Sequence, residues 1–134
     1  MAFVSITRLR VRSWRYLPVF LLHAFRSTRQ AKRADGLISL LLLRDANFSF
    51  WTSTVWRDEA AMRGFMLSGD HRRAMPHLLD WCDEASIVHW TQEMPDVPSW
   101  PEAHRRMQQQ GKPSKVRHPS EAHLRFEVPP PRAA

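Results

Sequence analysis

Of the side chains able to move a proton near neutral pH, His71 has the most promising setting. It follows Ser68-Gly69-Asp70, which reads as a break with a fresh N-cap inside a helical stretch, and an imidazole there can give or take protons. His77 lies six positions on, so the two rings point to different sides of a regular helix and do not make a shared metal site. His23, with Trp14 and Tyr16 on an earlier helix, is a further pocket candidate and an alternative axial ligand for haem, although a lone histidine on such a helix more often serves packing or the surface. Trp51, Trp56, Trp81 and Trp90 together offer enough aromatic surface to hold a flat apolar ligand, and they equally suit a core. Ser53, Thr52, Thr54 and Asn47 have the hydroxyl and amide groups that position a carbonyl or phenol, although Ser and Thr are also ordinary strand residues.

Other chemistries lose ground for lack of parts. The chain shows no glycine-rich phosphate loop, no nucleophile motif with a paired base and no carboxylate cluster suited to a divalent ion. The lone Cys82 excludes an internal disulfide and a thiolate-built metal site, and fits a reducing, cytoplasmic setting. Arg8, Arg10, Arg12 and Arg15 ahead of the apolar run Leu17 to Phe25 imitate a signal peptide, but Pro18 and His23 interrupt that run and no small-x-small cleavage site follows. No segment approaches the roughly 20 apolar residues of a membrane span, so a soluble protein without a membrane partner is expected.

The net charge of +7 is unevenly spread: residues 1–35 carry eight Arg/Lys against Asp35 alone, while residues 36–94 carry five against eight acids. Arg15, Arg26, Arg29, Lys32 and Arg33, and later Arg105, Arg106, Lys112, Lys115 and Arg117, form two basic regions able to meet polyanions. No nucleic-acid-binding motif accompanies them, and a solvated arginine-rich face is the simpler reading.

The elements that must position these residues follow from periodicity. With 134 residues and 43% hydrophobic content, the chain can build one core. Residues 2–12 alternate as a strand, with Phe3, Ser5, Thr7, Leu9 and Val11 on one face and Val4, Ile6 and three arginines on the other. Ser13 caps a helix from Trp14 to about Ala34, with Gly36 as its stop. Leu37 to Arg44 and Phe48 to Trp56 read as a hairpin around Asp45-Ala46-Asn47. Asp58 caps a helix burying Ala61, Met62, Phe65 and Met66, a second segment runs from Asp70 to about Asp83 with a kink near Pro76, and Ser86 to Gln92 is the last strand. Both faces of the third strand are partly apolar, which requires cover on both sides; helices on one face and dimerisation through the other would supply it.

The resulting βαββαβ order is ferredoxin-like, an α+β fold with two helices on one face of the sheet. Residues 1–94 form this domain, and residues 95–134 are a Pro/Arg-rich C-terminal arm with one short helix at Pro101 to Gln110, packing on the domain or its partner.

The stretch Phe50-Trp51-Thr52-Ser53-Thr54-Val55-Trp56-Arg57-Asp58-Glu59-Ala60-Ala61-Met62, followed by Phe65, Ser68-Gly69 and His71, resembles the central signature of the antibiotic biosynthesis monooxygenase-like superfamily, with the flavour of its spheroidene monooxygenase-related, largely uncharacterised branch. The likeness covers roughly residues 2–94. It implies a homodimeric α/β barrel whose subunits hold a small apolar ligand, aromatic or polyene-like, between helices and sheet. It also implies monooxygenation that requires no bound cofactor, or ligand binding without catalysis.

The haem-degrading branch is similar at Thr7-Arg8-Leu9 and through the second helix, but aligning its helix serine with Ser68 puts Thr7 at its asparagine, Phe65 at its tryptophan and Met75 at its haem-ligating histidine. Haem breakdown of that kind is therefore disfavoured. The site expected on these grounds has His71 as its acid–base group and Thr7, Trp51, Trp56, Phe65, His77 and Trp81 around the ligand.

Overall fold

A computed structural model describes residues 1–132. In chain order it contains β1 (Ala2–Val11), a 3₁₀ turn (Trp14–Tyr16), α1 (Leu17–Arg33), β2 (Leu37–Arg44), β3 (Ser49–Trp56), α2 (Glu59–Met66), α3 (Gly69–Trp81), β4 (Cys82–Gln92), α4 (Trp100–Gln110), β5 (Lys112–Pro113) and α5 (Glu121–Leu124). The strands form one antiparallel sheet in the order β2-β3-β1-β4-β5. The order from β1 to β4 is the ferredoxin-like one expected from the periodicity. None of the described helices is long and apolar enough to cross a membrane.

Local chemistry explains where the elements begin and end. Ser13 caps the 3₁₀ turn, accepting from the Arg15 amide at 3.3 Å, but α1 itself starts only at Leu17. Pro18 fits that boundary, because proline lacks an N–H and costs least in a helix's first turn. Gly36 stops the segment with φ +92°, and a Cβ there would stand 2.6 Å from the Ala61 Cβ, so both conformation and space require glycine. Asp58 caps α2 by accepting from the Ala61 amide at 2.8 Å. The helix α3 begins at Gly69 with Ser68 as its N-cap position, and it continues through Pro76 to Trp81.

Two further features differ from expectation. The strand β4 starts at Cys82 rather than Ser86, so α3 stops short of Asp83. Asp83 and Glu84 disguise the strand, since carboxylates are rare in strands. They are tolerated here because Arg8 and Arg10 on β1 pair with them: Arg8 reaches Glu84 at 2.7 Å and Arg10 reaches Asp83 at 2.9 Å.

The second difference concerns cover. The helices α1, α2 and α3 lie on the face carrying Phe3, Leu9, Val11, Phe50 and Trp56. The opposite face, for which a partner subunit was the expected cover, is occupied by the chain's own arm. Ala103 and Met107 of α4, four apart on one helix face, pack with Val4, Ile6, Trp51, Val55, Val88 and Trp90, and Val128 closes the cluster. The arm is then tied down by polar contacts: Ser120 Oγ donates to Glu84 Oε2 at 2.7 Å, the Ala85 amide donates to His123 Nδ1 at 3.3 Å, and β5 adds a short strand beside β4.

Candidate functional site

The helix-side face of the sheet does not close on its helices. Along α1 the cavity is lined after Phe20 by Leu21 and His23 and then by a run of small residues at helical spacing, Ala24, Ser27, Thr28 and Ala31; across from them β1 and β3 present Ser5, Thr7, Thr52 and Thr54. Small residues facing small residues leave a cavity of about 420 Å³. Its remaining wall is largely apolar, with Leu40, Phe50, Trp56, Met62, Phe65 and Leu78 beside Arg44. A few polar groups in an apolar hollow of this size is the usual make-up of a small-molecule site.

His71 lines this cavity. Its Nδ1 lies 3.2 Å from the carbonyl oxygen of Met66. A carbonyl only accepts, so Nδ1 carries the proton and Nε2 is left with its lone pair, the form of a general base. Burial lowers the His71 pKa and the Met66 bond opposes this; the net shift is downward, which keeps the ring neutral at pH 7. The ring packs 4.7 Å from Phe65, which in turn stacks on Trp56 at 5.4 Å.

Gln30 of α1 fixes that geometry. Its Oε1 accepts from the His71 amide at 2.8 Å, while its Nε2 donates to the carbonyls of Phe65 at 3.2 Å and Ser68 at 2.7 Å. Gly69, at φ +58°, lets the Gln30 amide come within 3.1 Å of where a Cβ would stand. The α2–α3 break and His71 are thus latched to α1 by one side chain. Gln30 was not foreseen, and a buried-side polar residue opposite a helix break is the only sequence signal for it.

Of the residues expected at the site, the structure brings Thr7, Trp56, Phe65 and His71 to one cavity, joined by His23, Thr52 and Thr54. Three others are elsewhere. Trp51 borders the cavity at the sheet, but strand alternation turns its ring to the arm side, edge-on to Trp100 and His104 with centroids 6.4 Å apart, and its Nε1 donates to Asp45 at 3.1 Å. Trp81 sits in the core with Val11, Phe20 and Cys82, away from the cavity. His77 is exposed on α3 and stacks on Trp81 at 5.1 Å. Ser53 lies on the arm side, Asn47 is exposed in the β2–β3 turn and Trp14 is 71% exposed.

The residues do not fit a haem held as in the haem-degrading branch: Met75, at the ligand's aligned position, is exposed and does not line the cavity. Among the described residues no cluster of three His, Cys, Asp or Glu is arranged to hold a metal ion. Burial pushes the Cys82 thiol up to about 12, so it supplies no thiolate.

Comparison with known proteins bears on the fold and the family. No curated protein matches the sequence. Among solved structures, a conserved protein from Methanosarcina mazei Go1 superposes with a TM-score of 0.62 at 14% identity, covering 69% of this chain and 94% of its own. SnoaB, a cofactor-independent oxygenase from Streptomyces nogalater, gives 0.57 at 19% identity over 71% of this chain and 98% of its own. An antibiotic biosynthesis monooxygenase gives 0.61 at 14% identity over 70% and 100%. At these identities the likeness establishes the fold, that of the antibiotic biosynthesis monooxygenase-like proteins. Residues 23–116, which hold α1 from His23 onward, the hairpin, His71 and α4, match the domain of unknown function DUF3291, and the chain belongs to that family.

Proposed function

We propose that this protein binds a flat apolar molecule, aromatic or polyene-like, in the cavity between α1–α3 and the sheet, and oxygenates it with molecular oxygen without a resident cofactor. The observation that supports the reading best is the His71 imidazole, presenting a bare Nε2 in a cavity lined mostly by apolar and hydroxyl side chains, with His23 and Arg44 also on its wall. Trp56 and Phe65 form the flat wall, and Thr7, Thr52 and Thr54 offer hydroxyls to a carbonyl or phenol. His71 takes a proton from an acidic CH₂ of the substrate, and the resulting carbanion reduces O₂ directly, so that R₂CH₂ + O₂ gives R₂C=O + H₂O. An apolar enclosure favours this by keeping water from the intermediate. The likeness to a cofactor-independent oxygenase supports the same class of reaction.

Oxygen uptake with a flat phenolic anthrone such as dithranol tests the reading. His71→Ala should lower the catalysed rate by about 10²-fold, the usual share of a general base. Because burial lowers the His71 pKa, the acid limb of the rate profile should fall below the ordinary histidine range. Unchanged turnover in His71→Ala removes the role of His71. Binding of the anthrone without oxygen uptake by the wild-type chain favours a ligand-binding module instead.

A homodimer is part of the same proposal. With the arm on the far face, the edge strand β2 offers an exposed apolar surface for it, where Ile38, Leu41 and Leu42 are 48%, 43% and 58% exposed. Native mass of the full chain measures this, and Leu42→Lys should shift it to the monomer.

A further inference from the structure

A second hollow, about 870 Å³ in volume, runs along the outside of the same helices between α1 and α2. Arg26, Arg29 and Arg33 line it from α1, and Ala60, Ala61 and Gly64 from α2. Phe65 lines both this groove and the inner cavity, and Gln30, which lines the groove, holds the amide of His71, which lines the cavity. The groove and the cavity therefore meet at the residues that position the proposed base.

The groove's charges are unbalanced in one direction. Its three carboxylates are engaged: Asp35 with Arg57 at 3.3 Å, Asp58 with Arg57 at 3.6 Å and Asp70 with Arg73 at 3.3 Å. Among the described residues Arg26, Arg29 and Arg33 have no carboxylate within ion-pair distance. At i, i+3 and i+7 they share one helix face within about 11 Å, where like charges repel and weaken the helix. The helix dipole favours Arg33 in the last turn, but its influence ends within that turn and does not reach Arg26. Guanidinium groups gathered in a concave surface are suited to bidentate contact with a carboxylate, sulfonate or phosphate.

We infer that the groove is the anion-binding half of the ligand site, so that the ligand is an amphiphile whose flat apolar body enters the cavity and whose acidic group stays outside on Arg26, Arg29 and Arg33. The inference rests on the helix-side cavity being the ligand site and names the class of molecule it takes. Phe65 is then the partition across which the ligand is threaded, and its acidic end never needs desolvation in the apolar interior, where an isolated charge is costly.

Two fluorescent probes that share one ring system separate the parts: 8-anilinonaphthalene-1-sulfonate and its uncharged parent N-phenyl-1-naphthylamine, each titrated into the full chain. The sulfonate should bind about 10-fold or more tightly, the effect of one charge-assisted hydrogen bond. The triple variant Arg26→Gln, Arg29→Gln, Arg33→Gln should abolish that advantage while leaving the uncharged probe's affinity unchanged, and high salt should do the same to the wild type. Thr28→Leu, which fills the cavity, should weaken both probes. Equal binding of the two probes, or a sulfonate advantage that survives the triple variant, overturns the inference while the cavity reading stands. Failure of both probes to bind the wild type, or binding that ignores Thr28→Leu, overturns the cavity reading itself.

Discussion

The two faces of one sheet have been built to opposite ends from alternate residues of the same strands. Toward the arm, β1 and β3 present Val4, Ile6, Trp51 and Val55, all fully buried, and α4 answers with Ala103 and Met107, which are as well buried. Toward the helices the same strands present Ser5, Thr7, Thr52 and Thr54, and α1 answers with Ala24, Ser27, Thr28 and Ala31, leaving about 420 Å³ unfilled. Large side chains against small ones interlock at crystal-like density, whereas small against small leaves room. The arm side is filled where the helix side keeps a hollow. A site placed on one face of a sheet has rigid walls when the other face is solid.

The largest effect should come from opening the solid face. Trp51→Ala removes a fully buried ring and should cost about 3–5 kcal/mol in denaturant unfolding; a cost under about 1 kcal/mol would show that the arm side is not the stabilising core.

Next comes the ion pair under the arm. Arg8, 4% exposed, bonds Glu84 at 2.7 Å and Ser49 Oγ at 3.1 Å, so Arg8→Met leaves a buried carboxylate without its partner at a cost of about 3 kcal/mol. Burial pushes Glu84 up, but the bonds from Arg8 and Ser120 outweigh it and hold its carboxyl below the ordinary glutamate value of 4.5. A depressed carboxylate contributes stability above its unfolded pKa and loses it as pH falls through the folded one, so Glu84→Gln should flatten the acid limb of the stability profile below about pH 4.5.

On the hollow face His71 gives the same sign at a higher pH. Its lowered pKa means the unfolded chain binds the proton more readily, so stability falls as pH drops below the ordinary value of 6.5, and His71→Asn should remove that dependence. The smallest change in stability is expected from filling the cavity: Thr28→Leu should leave the protein within about 1 kcal/mol of the wild type, on the stabilising side, in thermal unfolding.

The element order was legible because alternation in β1 and β3, and the caps at Ser13, Asp58 and Gly36, each reflect local chemistry. The start of β4 was not, since Asp83 and Glu84 make sense in a strand only once Arg8 and Arg10 lie beside them. The cover of the far face was hidden for a related reason: Ala103 and Met107 are a sparse stripe in a helix rich in Arg and Gln, and their partners lie far away in sequence. At the site, Trp56, Phe65 and His71 could be read from the hairpin-to-helix stretch. Trp51 borders the cavity only at the sheet because the two-residue period of β3 turns its ring to the arm, and the register of α3 leaves Trp81 and His77 outside the cavity lining. The small residues of α1 were the missed signal, because a stripe of Ala, Ser and Thr facing Ser and Thr strands announces a void only when the two are brought together.

The contrast between the faces can be measured directly by diffraction from crystals pressurised with xenon, an atom that enters dry apolar cavities and leaves packed cores alone. The account predicts xenon density on the helix side, against Phe20, Thr54, Trp56 and Met62, and none beside Trp51 or Met107. Absence of density on the helix side, or density between the sheet and α4, would contradict it.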